Sequence, residues 1–210
     1  VMVEFVSANP TGPMHMGNAR GGALGDCLAA VLDKAGYNAW REFYVNDAGN
    51  QIEKFGCSLE ARYLQIFKGD EIEFPEDGYH GDDIKELAKL FCKKYGDDWL
   101  KLDTPERHKM MAEFGLSINL PKMKRHLARY GIEYDQWFLE SSLHASGYVA
   151  DSVQKLTDAG FTYEKDGALW LHTSKILADK LLAAGKKPED IEWALSLIHI
   201  SEPTRLLSIS

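Results

Sequence analysis

Residues 1–22 read VMVEFVSANPTGPMHMGNARGG, and this stretch decides the fold of the chain. Residues 1–6 carry β-branched and aromatic side chains in partial alternation, which is typical of a strand. The turn formers of residues 9–13 (Asn-Pro-Thr-Gly-Pro) end that strand and redirect the backbone. Residues 17–34 then mix leucine and valine with glycine and alanine, so we predict a helix that can lie very close to a sheet.

Four glycines fall in the first three turns of this predicted helix, namely Gly17, Gly21, Gly22 and Gly25. A glycine inside a helix costs about 1 kcal/mol relative to alanine. We therefore expect close packing, or the close approach of a ligand, to explain why glycine stands at these positions.

A second strand follows the helix. Residues 36–38 (Gly-Tyr-Asn) end the helix, and residues 39–45 (AWREFYV) have the composition of a strand. A strand, a helix and a second strand this close together form a right-handed βαβ unit with parallel pairing. The sequence therefore predicts the α/β fold class.

The middle of the chain is helical, and the α/β pattern returns late. The predicted elements are helices at residues 48–67, 82–95 and 104–130, a strand at 132–138, a helix at 146–159 and a hairpin at 161–171. Thr104 and Pro105 would open the third helix, and Asp166-Gly167 would turn the hairpin. We interpret residues of about 68–131 as a helical insertion in a partial catalytic domain that spans residues 1–194.

The composition is that of an ordinary globular protein. The chain has 210 residues, a formal charge of −8 and 45% hydrophobic residues, which excludes disorder as the dominant state. No apolar run reaches the roughly 20 residues of a membrane-spanning helix, and no secretory signal is visible, so we expect no membrane association and a cytoplasmic location. The acidic balance disfavours nucleic-acid binding over the whole surface but leaves a local basic groove open.

The cysteines do not predict a disulfide framework or a zinc site. Cys27, Cys57 and Cys92 are odd in number, widely spaced and without a C-x-x-C pair, so we interpret them as reduced thiols. Residues 80–83 (His-Gly-Asp-Asp) are interpreted as a turn followed by the acidic start of a helix. No metal site is predicted.

Both ends of the chain are unusual. The chain opens directly in a strand, so we expect that an upstream segment has been removed. Residues 195–205 (LSLIHISEPTR) resemble the translation of a transposase-type sequencing-library adapter. We therefore interpret residues 195–210 as a non-native tail, against the alternative of a genuine helix that ends before Pro203.

The junction between the first strand and the helix predicts a phosphate-binding site. His15 stands at the N-terminus of the helix, where free backbone N–H groups and the helix dipole favour phosphate oxygens. Gly17 leaves a bare patch of backbone that a flat purine ring can approach. The spacing is neither G-x-G-x-x-G nor that of a Walker loop, and it suits adenylyl transfer, which depends on positioning and charge stabilisation.

These residues also carry a resemblance to a known family. The run from Val3 to Gly21 resembles the signature segment of class I arginyl-tRNA synthetases of the bacterial type. Further matches follow in the family's order at residues 44–51 (YVNDAGNQ), 78–84 (GYHGDDI), 135–138 (DQWF), 140–143 (ESSL) and 163–170 (YEKDGALW). The resemblance extends from the start of the chain to about Trp170.

The resemblance implies both a fold and an activity. The fold would be the Rossmann-like, nucleotide-binding parallel sheet of class I synthetases, interrupted by the helical insertion. The activity would be the activation of arginine by ATP, accompanied by Mg²⁺, to arginyl-adenylate, followed by transfer to tRNA(Arg). The chain matches no downstream lysine-rich loop, anticodon-binding domain or N-terminal tRNA-contacting module, so we expect the fragment itself to be inactive.

The resemblance assigns catalytic and ATP-binding roles to three residues. His15 and Asn18 would hold ATP phosphates and stabilise the pentavalent α-phosphate, and Gly17 would lie beneath the adenine. Asn18 departs from the family motif, which usually ends in histidine. Asparagine can donate a hydrogen bond but cannot carry positive charge, so catalysis would be weaker if the second histidine acts as a cation.

The resemblance places the substrate arginine near Glu4 and Asn9, with Ser7 as a polar neighbour. A carboxylate near the end of a parallel strand faces the ligand crevice of such folds and suits a guanidinium or ammonium group. Two alternatives stay open. Glu4 could face solvent or pair with Arg20 or Arg41, and Asn9 could serve only to stabilise the turn that follows it.

Two other functions are compatible with the pattern. One is another adenylyl-transferring enzyme with the same histidine and glycine signature. The other is a non-catalytic paralogue that binds RNA or a protein partner through this scaffold.

Overall fold

The chain divides into two compact units, and each has its own sheet. The computed structural model describes residues 1–165, 167–185 and 205–207. The units are Val1–Ser142 and Leu143–Ser210, and each contains a three-stranded sheet. The predicted domain of residues 1–194 therefore covers the first unit and part of the second.

A parallel sheet forms the centre of the first unit. It consists of β1 (Met2–Glu4), β2 (Trp40–Val45) and β3 (Gln136–Leu139), in the order β1-β2-β3. Both strand pairs are parallel. The helix α1 (Met16–Lys34) connects β1 to β2, so the predicted βαβ unit and the α/β fold class are confirmed.

Helix α1 packs its smallest residues against the sheet. Gly22, Gly25 and Ala29 are buried, at the three- and four-residue spacing of one helix face. A Cβ atom added at Gly25 would lie 2.2 Å from the ring of Phe5, and one added at Gly22 would lie 2.8 Å from Ile132 Cδ1. The expected close packing thus explains two of the four glycines.

Replacing Gly25 by alanine should destabilise the chain by about 2 kcal/mol in urea unfolding, because the added methyl group overlaps Phe5 and forces the helix outward. Gly21→Ala is the matched control. It lies in the same helix with nothing within 4 Å of the added atom, so alanine there should stabilise the chain by about 0.5 to 1 kcal/mol through helix propensity. Equal effects at the two positions would contradict close packing as the reason for Gly25.

Three helices lie between β2 and β3 and form a second core. They are α2 (Asn50–Lys68), α3 (Asp82–Tyr95) and α4 (Thr104–Arg129), with short 3₁₀ turns at Gly69–Glu71 and Asp98–Lys101. Their shared buried residues are Phe55, Leu59, Tyr63, Ile84, Leu87, Ala88, Phe91, Met111 and Ala112. Because α2 belongs to this core, the helical segment begins earlier than the predicted boundary near residue 68.

The start of α4 differs by one residue from the prediction. The cap is Asp103, whose Oδ1 accepts a hydrogen bond from the N–H of Glu106 at 3.1 Å, and Pro105 lies in the first turn. Farther along α4, buried Asn119 donates to the carbonyl of Pro10 at 2.9 Å. This bond ties the helical segment to the turn that follows β1.

The second unit carries a small antiparallel sheet. Its described elements are α6 (Tyr148–Asp158), β4 (Thr162–Lys165), β5 (Ala168–Leu171), α7 (Thr173–Ala183) and β6 (Arg205–Leu207), and α5 (Ser141–Ala145) lies at the boundary of the units. β4 and β5 pair antiparallel, which confirms the predicted hairpin.

The interpretation of residues 195–210 as a non-native tail falls largely on residues outside the described part of the chain. Of that tail the structure describes only β6, which pairs antiparallel with β5.

Among the described residues, every helix is too short or too polar to cross a membrane.

Candidate active site

The N-terminus of α1 is closed by a reciprocal pair of hydrogen bonds. The N–H of Gly17 donates to Nδ1 of His15 at 3.1 Å. The N–H of His15 donates to Oδ1 of Asn18 at 2.9 Å. This is a capping box in which a histidine takes the place of the usual serine or threonine.

The capping box determines which donors remain free. Because Nδ1 of His15 accepts a hydrogen bond, a neutral ring carries its proton on Nε2. Because Oδ1 of Asn18 also accepts one, the Nδ2 amide of that side chain is the donor that remains. Both side chains can therefore donate to an anion while they still cap the helix.

The backbone between β1 and the turn is strained. Val6 and Ser7 have φ angles of 68° and 41°, in the left-handed region that β-branched residues rarely adopt. The hydroxyl of Ser7 accepts a hydrogen bond from the N–H of Tyr44 at 3.1 Å, which holds the bend against β2. Strain of this kind is concentrated at functional sites.

The bend and the start of α1 open into a cavity of about 570 Å³, which we call the crossover cavity. Four of the predicted site residues line it, namely Ser7, Asn9, His15 and Asn18. Asn9 also donates to Gln51 Oε1 at the start of α2, so its position depends on more than the adjacent turn.

Gly17 and Glu4 lie outside the lining of the crossover cavity. Gly17 is exposed in the first turn of α1, beside the ring of His15. Glu4 is exposed on the sheet face opposite Val3 and Phe5. The structure therefore brings together the predicted phosphate-binding side chains but places the predicted arginine-binding carboxylate on another surface.

Glu4 does not pair with Arg41, one of the two alternatives considered from the sequence. Arg41 instead contacts Asp33 at 2.9 Å and Asp26 at 3.6 Å. Its bond to Asp33 holds the pKa of that carboxyl below its usual value.

A phenol and several carboxylates lie at the carboxyl end of β2. Burial, and after it the negative charges of Glu140, Asp47 and Glu4, raises the pKa of Tyr44. Asp47 is already engaged, because it accepts hydrogen bonds from the N–H and the hydroxyl of Ser141 at 2.9 and 2.7 Å. The field around Tyr44 is negative, as a cationic ligand would require.

The opposite wall of the crossover cavity comes from the loop before α3 and was missed as part of the site. It consists of Tyr79, His80, Gly81 and Asp83. These residues lie in the matched segment 78–84, but their sequence pattern indicates only a turn and a helix start. Only the tertiary structure brings them next to His15, across more than 60 residues of chain.

Within the described residues, no group of three or more histidine, cysteine, aspartate or glutamate side chains is arranged to hold a metal ion. A larger cavity of about 610 Å³ between α2 and α4 is lined by none of the predicted site residues.

Comparisons with known proteins agree with this geometry. Residues 1–181 match the family model described as tRNA synthetases class I (R), catalytic domain. The chain is 62% identical to an arginine–tRNA ligase of Ruminiclostridium cellulolyticum and 57% identical to one of Acetivibrio thermocellus. Each alignment covers 86% of this chain and 32% of the relative. The chain thus spans about a third of the length of these relatives.

A solved structure shows the same fold. It is a crystal structure from Campylobacter jejuni assigned as an arginyl-tRNA synthetase, with a TM-score of 0.69 and 33% sequence identity. The match covers 84% of this chain and 38% of that chain. With a family model over residues 1–181, a shared fold and the signature segment at the start of α1, the chain belongs to the class I arginyl-tRNA synthetase family, within its catalytic domain.

Proposed function

We propose that this chain is the nucleotide-binding part of an arginine–tRNA ligase and that the crossover cavity binds the phosphates of ATP. The observation that carries the proposal is the start of α1. There the free Nε2–H of His15, the Nδ2 amide of Asn18 and the positive end of the helix dipole serve one cavity. A polyphosphate is the ligand that such a set of donors favours.

The proposed reaction begins with an in-line attack on the α-phosphate of ATP. A carboxylate oxygen of arginine forms the new bond to phosphorus, and the bond to the pyrophosphate oxygen breaks. Negative charge builds up on the equatorial oxygens of the α-phosphate. His15 can stabilise that charge from Nε2 without a proton transfer, because it donates in its neutral form.

Asn18 supports the same charge with a neutral amide. Gly17 would let the adenine ring approach the backbone, since its first turn is exposed and carries no side chain. In the second step, a ribose hydroxyl of the terminal adenosine of tRNA(Arg) attacks the activated carbonyl carbon, and AMP leaves.

The arginine would bind through Glu4 and the end of β1, with Ser7 and Asn9 as polar neighbours. The negative field around Tyr44 supports a cationic substrate on this side of the sheet. Mg²⁺ would arrive with ATP and be held mainly by the phosphates and water, as is usual for this ion. As a translation enzyme, the protein would act in the cytoplasm.

ATP–pyrophosphate exchange tests this function. The full-length gene product should show exchange with arginine in the presence of tRNA(Arg) and none above background with lysine. The 210-residue chain should show no exchange with either amino acid, because it spans about a third of its relatives. Exchange supported by lysine as well as by arginine would contradict the assigned substrate, and exchange by the isolated chain would contradict its inactivity.

A further inference from the structure

The two walls of the crossover cavity are held in fixed positions relative to each other. The N–H of Tyr79 donates to Oγ of Ser58 at 2.9 Å, and Ser58 is fully buried in α2. On the other wall, the carbonyl of Pro10 accepts the bond from Asn119 of α4. The loop before α3 is therefore a built wall of the cavity, anchored to the helical core.

One ring on that wall is well positioned for a ligand. His80 is exposed, and its ring lies 4.7 Å from the ring of Phe74, centroid to centroid. The guanidinium of Arg62 lies 4.0 Å above the opposite partner in this stack, the Phe74 ring. The imidazole is thus supported from one side by an aromatic ring that is itself held in place.

The donor of His80 is only weakly used within the chain. Its Nε2 lies 3.3 Å from the carbonyl oxygen of Glu76, at the long end of a hydrogen bond. A phosphate oxygen is a stronger acceptor than a neutral carbonyl, because the bond is charge-assisted. The Nε2–H can therefore be transferred from Glu76 to a phosphate with little loss.

The charge in the cavity also calls for a second imidazole. Asn18 stands where the family motif usually has a histidine and offers only a neutral amide. Asp83 is the carboxylate that lines the crossover cavity, whereas the neighbouring Asp82 is engaged with Lys85 at 2.9 Å. A triphosphate in this cavity lacks donors on the wall opposite α1 unless His80 supplies one.

We propose that His80 is a second imidazole contact for the phosphate chain of the nucleotide, on the wall opposite His15. The inference rests on the proposed ATP binding and adds a residue from the helical insertion to that site. It assigns to His80 the donor function that Asn18, as an uncharged amide in the capping box, provides only in part.

Equilibrium binding of ATP and adenosine to the 210-residue chain tests the inference. His80→Ala should weaken ATP binding about five- to tenfold, the usual effect of losing one hydrogen bond to a charged group. Adenosine binding should stay within about twofold, because adenosine has no phosphate. His144→Ala, another exposed histidine that does not line the cavity, is the matched control and should change neither affinity.

The outcomes separate this inference from the proposed function. If His15→Ser weakens ATP binding and His80→Ala does not, the contact of His80 is wrong and the ATP site stands. If His80→Ala weakens adenosine as much as ATP, His80 contacts the nucleoside and the phosphate contact is wrong. If the unchanged chain does not bind ATP, or His15→Ser has no effect, the proposed site fails and this inference fails with it. Circular dichroism of each variant checks that the fold is retained.

Discussion

Replacing Glu60 by glutamine should lower the free energy of unfolding of this chain by about 3 kcal/mol, the usual cost of breaking a buried ion pair by removing one charge. The side chain of Glu60 is only 10% exposed and bridges two residues of α4. Oε1 accepts from Nε of Arg107 at 2.6 Å, and Oε2 contacts Nε2 of His108 at 2.5 Å. Glutamine keeps the shape but leaves the buried guanidinium without its counter-charge.

The matched control is Asp82→Asn, which removes a carboxylate from an exposed pair. Asp82 contacts Lys85 within α3, and its side chain is 88% exposed. Solvent-exposed pairs contribute little to stability, so urea unfolding should show no clear change for this variant. Similar midpoints for Glu60→Gln and the unchanged chain would mean that the apolar core, and not the Glu60 bridge, joins α2 to α4.

The hydrophobic period of α2 predicts its core but not this bridge. Phe55, Leu59 and Tyr63 follow the helical spacing and are all buried. Glu60 lies beside Leu59 in sequence and is buried too, at 7% exposure. A single charged residue next to an apolar stripe is ordinarily solvent-exposed, so only its partners on a distant helix reveal that it is buried.

Helix α1 shows a related limit. Its bounds follow from the sequence, because the turn before it and the glycine after it are strong signals. Its inner face does not, because the helix buries its smallest residues and leaves Leu24, Leu28 and Val31 exposed at 72%, 51% and 65%. The usual rule that large apolar residues face inward fails here, since Phe5 needs the space above Gly25.

The candidate site was predicted where local chain geometry determines it and missed where tertiary packing does. His15 and Asn18 lie within one helical turn, so a single motif places both. The second wall depends on how the helical segment folds back, through Ser58 and Asn119, onto the turn after β1. The roles of Glu4, Ser7 and Asn9 toward arginine stay predictions.

Replacing His15 by serine should reduce ATP affinity of the chain at least tenfold, because it removes the Nε2–H donor from the start of α1. Serine is a good N-cap residue, so the helix should keep its stability. In the full-length gene product the same change should slow arginine activation by about 100-fold, the usual effect of losing one donor to a charge that develops in the transition state.

His15→Ala separates binding from capping. Alanine removes both the phosphate donor and the acceptor for the N–H of Gly17, so it should lose as much ATP affinity as serine and, in addition, about 1 kcal/mol of stability. If serine restores ATP affinity as well as stability, then His15 acts only as a helix cap. The anion site would then consist of the backbone N–H groups of α1 and the amide of Asn18, because these are the other donors that the first turn directs to the cavity.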